Sequence, residues 1–579
     1  MKPTHSLTPL QRLAGLLRPD RRDIYYIYLY AVFAGLISLS LPLGVQAIIG
    51  LIAGGAISAS IILLVVAVTA ASALSGILVI MQLSVTETIQ QRIFARSAFE
   101  FGFRIPRLQL DNLSAYYPPE LVNRFFDTLT LQKSIPKLLI DASAAALSVI
   151  FGLILISFYH PFFAFFGLAL LLVIVLIFRI TGPMGLKTSL KESTYKYEVA
   201  HWLEEMARSM STFKLAGDTP LPLQKTDELV GNYLENRKKH FRILINQYQV
   251  ILVFKVVVTA GLLLLGSILV IDNQINIGQF VASEIVVISI INSIEKLMLT
   301  MDTVYDTLTA LEKLGSVTDL PLEPEGGLSF EKIDTGKGIQ LRVEDLYFKY
   351  EDARRPTLDQ LSFDLAAGEK VALAGYNGSG KTTLIQLIAG LFSNFGGSIS
   401  YNGFPIQNLD TASLRRYIGD HCSQENIFRG SLMDNISLGH PEVKLEDVVW
   451  AADCAGLSEF VQRLPKGYQT VLLPEGKNIP QHIRSKILLA RSIAFRPRLL
   501  VLENLLGTME QSDRDRIAAF LSSREHPWTL LASTDDPVFA AHCDRVIIME
   551  AGKIVADGSF ETIRDSTHFA KVFKTGQVV

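Results

Sequence analysis

Six long runs with few or no charges occupy the first half of this chain, at roughly 24–44, 56–83, 138–158, 161–181, 249–271 and 277–294. Each is near the ~20 residues that a helix needs to cross the hydrocarbon of a bilayer. A segment in lipid must satisfy its own backbone, which leaves the helix as the structure for a run of this kind. The mean hydropathy of +0.32 is high for 579 residues because the apolar residues crowd into these runs. A chain of this length exceeds one core, so a second domain is expected. The net charge of -2 gives no electrostatic footprint for nucleic acid, which is not expected as a partner.

The distribution of charge orients the runs. The connections after the first, third and fifth runs are short and carry a single charge, Asp272. Those after the second and fourth are long and basic, with Arg92, Arg96, Arg104, Arg107 and Arg124 in one and Lys187, Lys191, Lys196, Arg237, Lys238 and Lys239 in the other. By the positive-inside rule both ends and both long connections face the cytoplasm. The opening "MKPTHSLTPLQRLAGLLRPDRRD" has no apolar stretch of its own and reads as a lead-in to the first crossing rather than a signal peptide. The chain is therefore expected to be an integral, multi-pass protein surrounded by membrane lipids, in a bacterial inner membrane. The long connections have helical periodicity, as in "YEVAHWLEEMARSMSTF", and should extend the membrane helices into the cytoplasm. Their tips, near 110–120 and 211–220, carry the Pro, Gly and Ser that turn a chain back.

After residue 315 the character changes. The stretch "SVTDLPLEPEGGLSFEKIDTGKG" is rich in Pro, Gly and acids and reads as a linker over 316–337. It separates a membrane domain, 1–315, from an α/β domain, 338–579, in which short β-like runs such as "KVALAG", "RLLVLEN" and "TLLAST" alternate with helical ones. Here the chemistry begins. "VALAGYNGSGKTTLIQLIAG" places Gly375, Gly380, Lys381 and Thr382 at the G-x-x-x-x-G-K-[ST] spacing, after an apolar strand and before a helix. Backbone N–H groups from Asn377 through Gly378, Ser379 and Gly380 to Thr382 can curl round phosphates; Lys381 can reach the β- and γ-oxygens, and the Thr382 hydroxyl can bind Mg²⁺. Thr383 completes the set. ATP and Mg²⁺ are the expected cofactors.

Aromatic, phosphate loop, glutamine, helix-start motif, acid-tipped strand and final strand follow the order of the nucleotide-binding domain that ABC transporters carry, and the six runs before them resemble an exporter-type half-transporter. The resemblance spans nearly the whole chain. It implies that Tyr350 in "YFKYED" stacks on adenine, that Gln424 in "GDHCSQENIFRG" contacts Mg²⁺ and senses the membrane domain, and that the tips near 110–120 and 211–220 are coupling elements. It also implies a dimer with a second half-transporter.

The likeness fails at the catalytic positions. The family's Leu-Ser-Gly-Gly-Gln aligns with Ile479-Pro480-Gln481-His482-Ile483, so a proline removes an N–H donor and both glycines have gained side chains. Glu503 replaces the metal-linked aspartate and remains an oxygen ligand. Asn504 replaces the glutamate that polarises water, and an amide has no proton-accepting state near neutral pH. Asp535 stands where the final-strand histidine is expected, bringing a negative charge toward a γ-phosphate. These substitutions predict a domain that binds ATP and hydrolyses little or none. No catalytic residue is assigned, and the chain should pair with an active half. The alternative is a homodimeric or regulatory ATP-binding protein that is not a pump.

Cargo is less legible. Glu284, inside the sixth run, is a candidate for lining a path that favours a cationic or polar group; Lys255, inside the fifth, is expected to snorkel to the inner interface. No peptidase-like segment precedes the first run, so the chain is not expected to process a leader peptide. Cys422, Cys454 and Cys543 show no metal spacing and should be reduced, and the histidines, His5 and His160 among them, form no ligand cluster.

Overall fold

The structure is a computed structural model that describes residues 8–573 apart from 55–58, 114–117, 160, 352 and 422–425. Contacts divide the chain into two compact units, Met1–Arg107 with Tyr116–Leu320, and Leu108–Ala115 with Pro321–Val579.

The first unit is helical. Its long members, Ala59–Arg104, Pro161–Arg208, Leu221–Ile271 and Ile277–Thr318, hold 46, 48, 51 and 42 residues. At 1.5 Å per residue these rods are roughly 63–77 Å long, about twice the hydrocarbon thickness, so each continues well past its apolar run. Among the described residues, five helical stretches are long and apolar enough to cross a membrane; Pro161–Arg208 covers the fourth run as well. The first run does not stop near 44. Helix Arg21–Ser38 breaks at Leu39 and resumes as Ser40–Ala53, because Pro42 has no N–H and its ring crowds the carbonyl of residue 38. The third run starts on a widened π turn, Leu138–Ala142, directly after Pro136.

Charged groups in the runs find different surroundings. Lys255 does not simply snorkel: its ammonium is 3.1 Å from Glu295, which also accepts a 2.9 Å hydrogen bond from Tyr248. Burying a charge is far less costly when it is paired. Glu284 is half-buried. Beyond the apolar runs the helices meet through polar contacts: buried His240 touches Thr188 Oγ1 at 2.9 Å, and Gln247 donates to Tyr305 Oη at 3.0 Å. Tyr305 fits there because residue 185 is glycine; a Cβ at Gly185 would lie 2.2 Å from its ring.

The second unit is built on a six-stranded sheet. Its strands run in the order Lys553–Gly558, Arg545–Glu550, Lys370–Gly375, Thr529–Ser533, Leu499–Glu503, Ile418–His421, parallel except for the first. Successive side chains on a strand point to opposite faces, and here both faces are covered. Leu500, Leu502, Leu530 and Ala532 enter one core, whereas Leu499, Val501 and Leu531 enter the other, which is why these strands read as unbroken apolar runs. A smaller antiparallel sheet, Leu358–Leu365, Leu341–Phe348, Gly396–Tyr401 and the short Phe404–Pro405, adds to the second core.

The stretch 316–337, linker-like in composition, carries secondary structure and buried side chains. Helix Ile277–Thr318 occupies its start, and Phe330 is fully buried in the second unit. Residues 108–113 also belong to that unit. Leu108 bridges Leu322, and the Asp111 carboxylate accepts hydrogen bonds from the N–H and hydroxyl of Ser393, at 2.9 and 2.6 Å.

Candidate nucleotide site

A cleft of about 390 Å³ opens at the carboxyl ends of strands Lys370–Gly375, Thr529–Ser533 and Leu499–Glu503. Ligands of open α/β sheets bind beyond those ends. Gly375, Tyr376, Asn377, Gly378, Gly380, Lys381, Thr382 and Thr383 form one wall. Glu503, Asn504, Ser533, Thr534 and Asp535 form another.

The first wall is a loop that only glycine permits. Gly375 passes under the neighbouring strand so closely that a Cβ would lie 2.3 Å from the Met549 carbonyl. Gly380 has φ +101° and caps helix Lys381–Ile388, whose free N–H groups then face the cleft. Lys381 folds its ammonium into the loop, donating to the carbonyls of Gly375 and Tyr376 at 2.6 and 2.9 Å and to buried Ser379 at 3.3 Å. Burial pushes the Lys381 pKa below the usual lysine range, opposed by the negative charges of Glu503 and Asp535. The Thr382 hydroxyl donates directly to the Glu503 carboxylate. Two oxygen ligands for a hard cation are thus brought together, beside backbone donors and an ammonium suited to phosphate.

The second wall is set by strand register. Glu503 pairs with Ser533, and Asn504 follows with φ +44°, its N–H donating to the Ser533 carbonyl at 3.0 Å. Asparagine tolerates that left-handed conformation better than most residues. Asn504 and Asp535 are both exposed in the cleft. The Asn504 amide cannot take a proton from water as a glutamate would, and the Asp535 carboxylate, when ionised, cannot donate one as a histidinium would.

Helix Gln481–Ala494 lies elsewhere in the unit and begins at Pro480 without a side-chain cap. Ile479 and Ile483 are buried in the core, while Pro480 and Gln481 are exposed and His482 is half-buried. Proline before the first turn is compatible with the helix, and Pro480, Gln481 and His482 place side chains at its tip.

Tyr350 stands beside the loop. Its hydroxyl lies 3.0 Å from Thr383 Oγ1, and its ring is half-buried, edge-to-face with Phe348 and Phe392 at 4.9 and 5.9 Å. Gln424 and Cys422 lie outside the described residues; Cys454 and Cys543 are free thiols. Sequence reasoning missed Thr357, Tyr376, Lys571 and Val572 as cleft residues. Tyr376 lies inside the motif itself, whereas no spacing connects Lys571 to it.

Long membrane helices joined to a phosphate-loop α/β unit define a membrane protein with its own nucleotide-binding domain. Residues 24–293 match the model of the ABC transporter transmembrane region and residues 358–505 that of the ABC transporter, so the chain belongs to the ABC transporters. It is 26% identical over 444 residues to the transport/processing ATP-binding protein ComA of Streptococcus pneumoniae, covering 76% of this chain and 61% of that one. It is 28% identical over 304 residues to an ATP-dependent lipid A-core flippase of Legionella pneumophila, covering 52% of this chain and 51% of the flippase. The chain therefore spans less than two thirds of the curated relatives it matches. A solved bacterial Atm1-family ABC exporter with ATP bound superimposes with a TM-score of 0.84 at 18% identity, over 95% of this chain and 97% of that one, which establishes the shared fold.

Proposed function

We propose that this chain is the ATP-binding but catalytically degenerate half of a dimeric exporter, anchored in a bacterial inner membrane by six crossings. One observation carries the reading: the cleft keeps a phosphate loop with Lys381 and a Thr382–Glu503 pair, yet faces them with Asn504 and Asp535. The first set fits magnesium ATP. Loop amides and Lys381 would hold its phosphates, Thr382, Glu503 and Gln424 its metal, and Tyr350 its base. Bound ATP supplies charge and a binding surface between two halves; the Asn504 amide contributes no general base toward water.

In an exporter, ATP binding by such a half drives a cycle only if a partner performs the hydrolysis. An exporter-type partner with an intact glutamate and histidine meets that need. The residues near 110–120 and 211–220 fit coupling elements: Asp111 engages Ser393, and Leu215 is 88% exposed in the other tip. Relatives named for transport/processing and for lipid flipping support an export direction but leave the cargo open. Glu284 remains the candidate for recognising a cationic or polar group.

The test is the ATPase activity of the purified chain, alone and with co-purified partners. Turnover confined to a complex with an intact second half supports the reading. Brisk turnover by the chain alone that vanishes in Lys381→Ala refutes the degenerate site. Recovery of the chain only as a homodimer, with ATP bound and not turned over, points instead to a non-pumping protein.

A further inference from the structure

The cleft has a cationic wall that the phosphate motif does not supply. Helix Thr567–Val572 lies near the end of the chain, far in sequence from every nucleotide motif, yet Lys571 and Val572 line the cleft together with Thr534, Asp535, Asn504 and Lys381. The helix is short but pinned. Phe569 is buried and Phe573 is fully buried; their rings lie 4.6 Å apart, and Phe560 meets Phe569 edge-on at 5.5 Å. Ser566 caps the start by accepting from the Phe569 N–H at 3.2 Å. Residue 571 lies midway between two anchors four residues apart, about 200° round the helix from each, so anchoring the phenylalanines turns the lysine outward.

Charge gives that lysine a task. Excluding the motif lysine, which is held by its own loop, the cleft walls carry the carboxylates Glu503 and Asp535 and the exposed ammonium of Lys571. Among the described residues Lys571 forms no ion pair, whereas nearby His568 approaches Glu550 at 3.7 Å. Asp535 presents like charge to an incoming phosphate, and the Lys571 ammonium in the same cleft is placed to offset it.

We propose that Lys571 is a phosphate-binding residue of this cleft, contributing from the C-terminal helix the positive charge toward the terminal phosphate of a nucleoside triphosphate that Asp535 cannot provide. The inference rests on the reading of the cleft as an ATP site. It makes the carboxyl-terminal helix part of the nucleotide site and gives the site a means of preferring triphosphate to diphosphate. A charge-assisted contact of this kind is a binding interaction only. Nothing in it restores a base for water, so it is compatible with slow or absent hydrolysis.

The experiment measures equilibrium binding of Mg-ATP and Mg-ADP to the full chain in lipid nanodiscs, for the native protein, Lys571→Gln, Lys571→Glu and Lys571→Arg. The expected result is a loss of ATP affinity of about tenfold in Lys571→Glu, less in Lys571→Gln, with ADP affinity changed by under about twofold and near-native behaviour in Lys571→Arg. Because the side chain is exposed, thermal unfolding should be unaltered, which separates a lost contact from a damaged fold. Adding Asp535→Asn to Lys571→Glu should recover part of the ATP affinity. Equal losses for both nucleotides, or none, overturn the role of Lys571 while leaving the ATP site standing. Failure of the native chain to bind either nucleotide overturns both.

Discussion

At one end of the cleft, Gly375 to Thr383 keep every group that a phosphate loop needs, and Lys381 and Thr382 are already held by Gly375, Tyr376 and Glu503. At the other end, one strand away, Asn504 and Asp535 occupy an equally ordered frame whose backbone bond, Asn504 N–H to Ser533 carbonyl, is intact. The difference lies in side-chain chemistry rather than in architecture. Holding a nucleotide demands backbone shape and an ammonium, whereas splitting it demands a group that changes protonation in the right place. Backbone shape is set by the sheet and its glycines, so it does not depend on which side chains line the second end.

The largest expected effect breaks this contrast by rebuilding the second end. Asn504→Glu with Asp535→His, and with residues 479–483 replaced by Leu-Ser-Gly-Gly-Gln, should raise ATP turnover of the isolated chain by about 10²–10⁴-fold over the native protein. A glutamate at the φ of +44° costs about 1–2 kcal/mol, small beside that gain, and a thermal melt will show it. No gain in phosphate release would mean that residues 479–483, Asn504 and Asp535 do not limit turnover.

Next in size comes the retained end. Lys381→Ala should weaken Mg-ATP binding by about 10²-fold, since an ammonium–phosphate contact contributes up to ~3 kcal/mol. Isothermal titration would reveal it, and unchanged affinity would remove the loop from the site. A smaller effect is expected at the Thr382–Glu503 pair. Glu503→Gln removes one charged oxygen ligand and should reduce the Mg²⁺-dependent part of ATP affinity by about tenfold, while binding in EDTA stays the same.

How much of this was legible in the sequence depends on range. The phosphate loop is local, so its spacing announces itself, and the parallel strands announce themselves by apolar runs buried on both faces. Long helices were legible because lipid demands them, although the break at Leu39 follows from Pro42 and was missed when the first run was closed near 44. Lys255 was read alone; its partner Glu295 is 40 residues away and became visible only when two helices packed. The 316–337 stretch has linker composition, yet Phe330 buries itself completely, a packing fact that composition cannot carry. Lys571 is the extreme case, nearly 200 residues from the motif whose cleft it lines.

The smallest prediction tests the base-binding edge. The resemblance gives the Tyr350 ring the task of stacking on adenine, but the ring is half-buried against Phe348 and Phe392 and its hydroxyl is engaged by Thr383. Two tasks are therefore superimposed on one side chain, and two substitutions separate them. Tyr350→Phe keeps the aromatic face and loses the hydroxyl contact, so it should lower stability by about 1 kcal/mol with ATP affinity changed by less than about twofold. Tyr350→Leu also removes the aromatic face, and should cost a further ~1 kcal/mol in ATP binding if the ring stacks on the base. Inorganic triphosphate, which has no base to stack, should bind both variants as it binds the native chain. If Tyr350→Leu lowers the melting temperature and leaves ATP affinity at the native value, the tyrosine is a core residue that braces the start of helix Lys381–Ile388. The retained end of the cleft would then grip ATP by its phosphates alone, and Tyr376, exposed on the loop itself, becomes the aromatic to examine for the base.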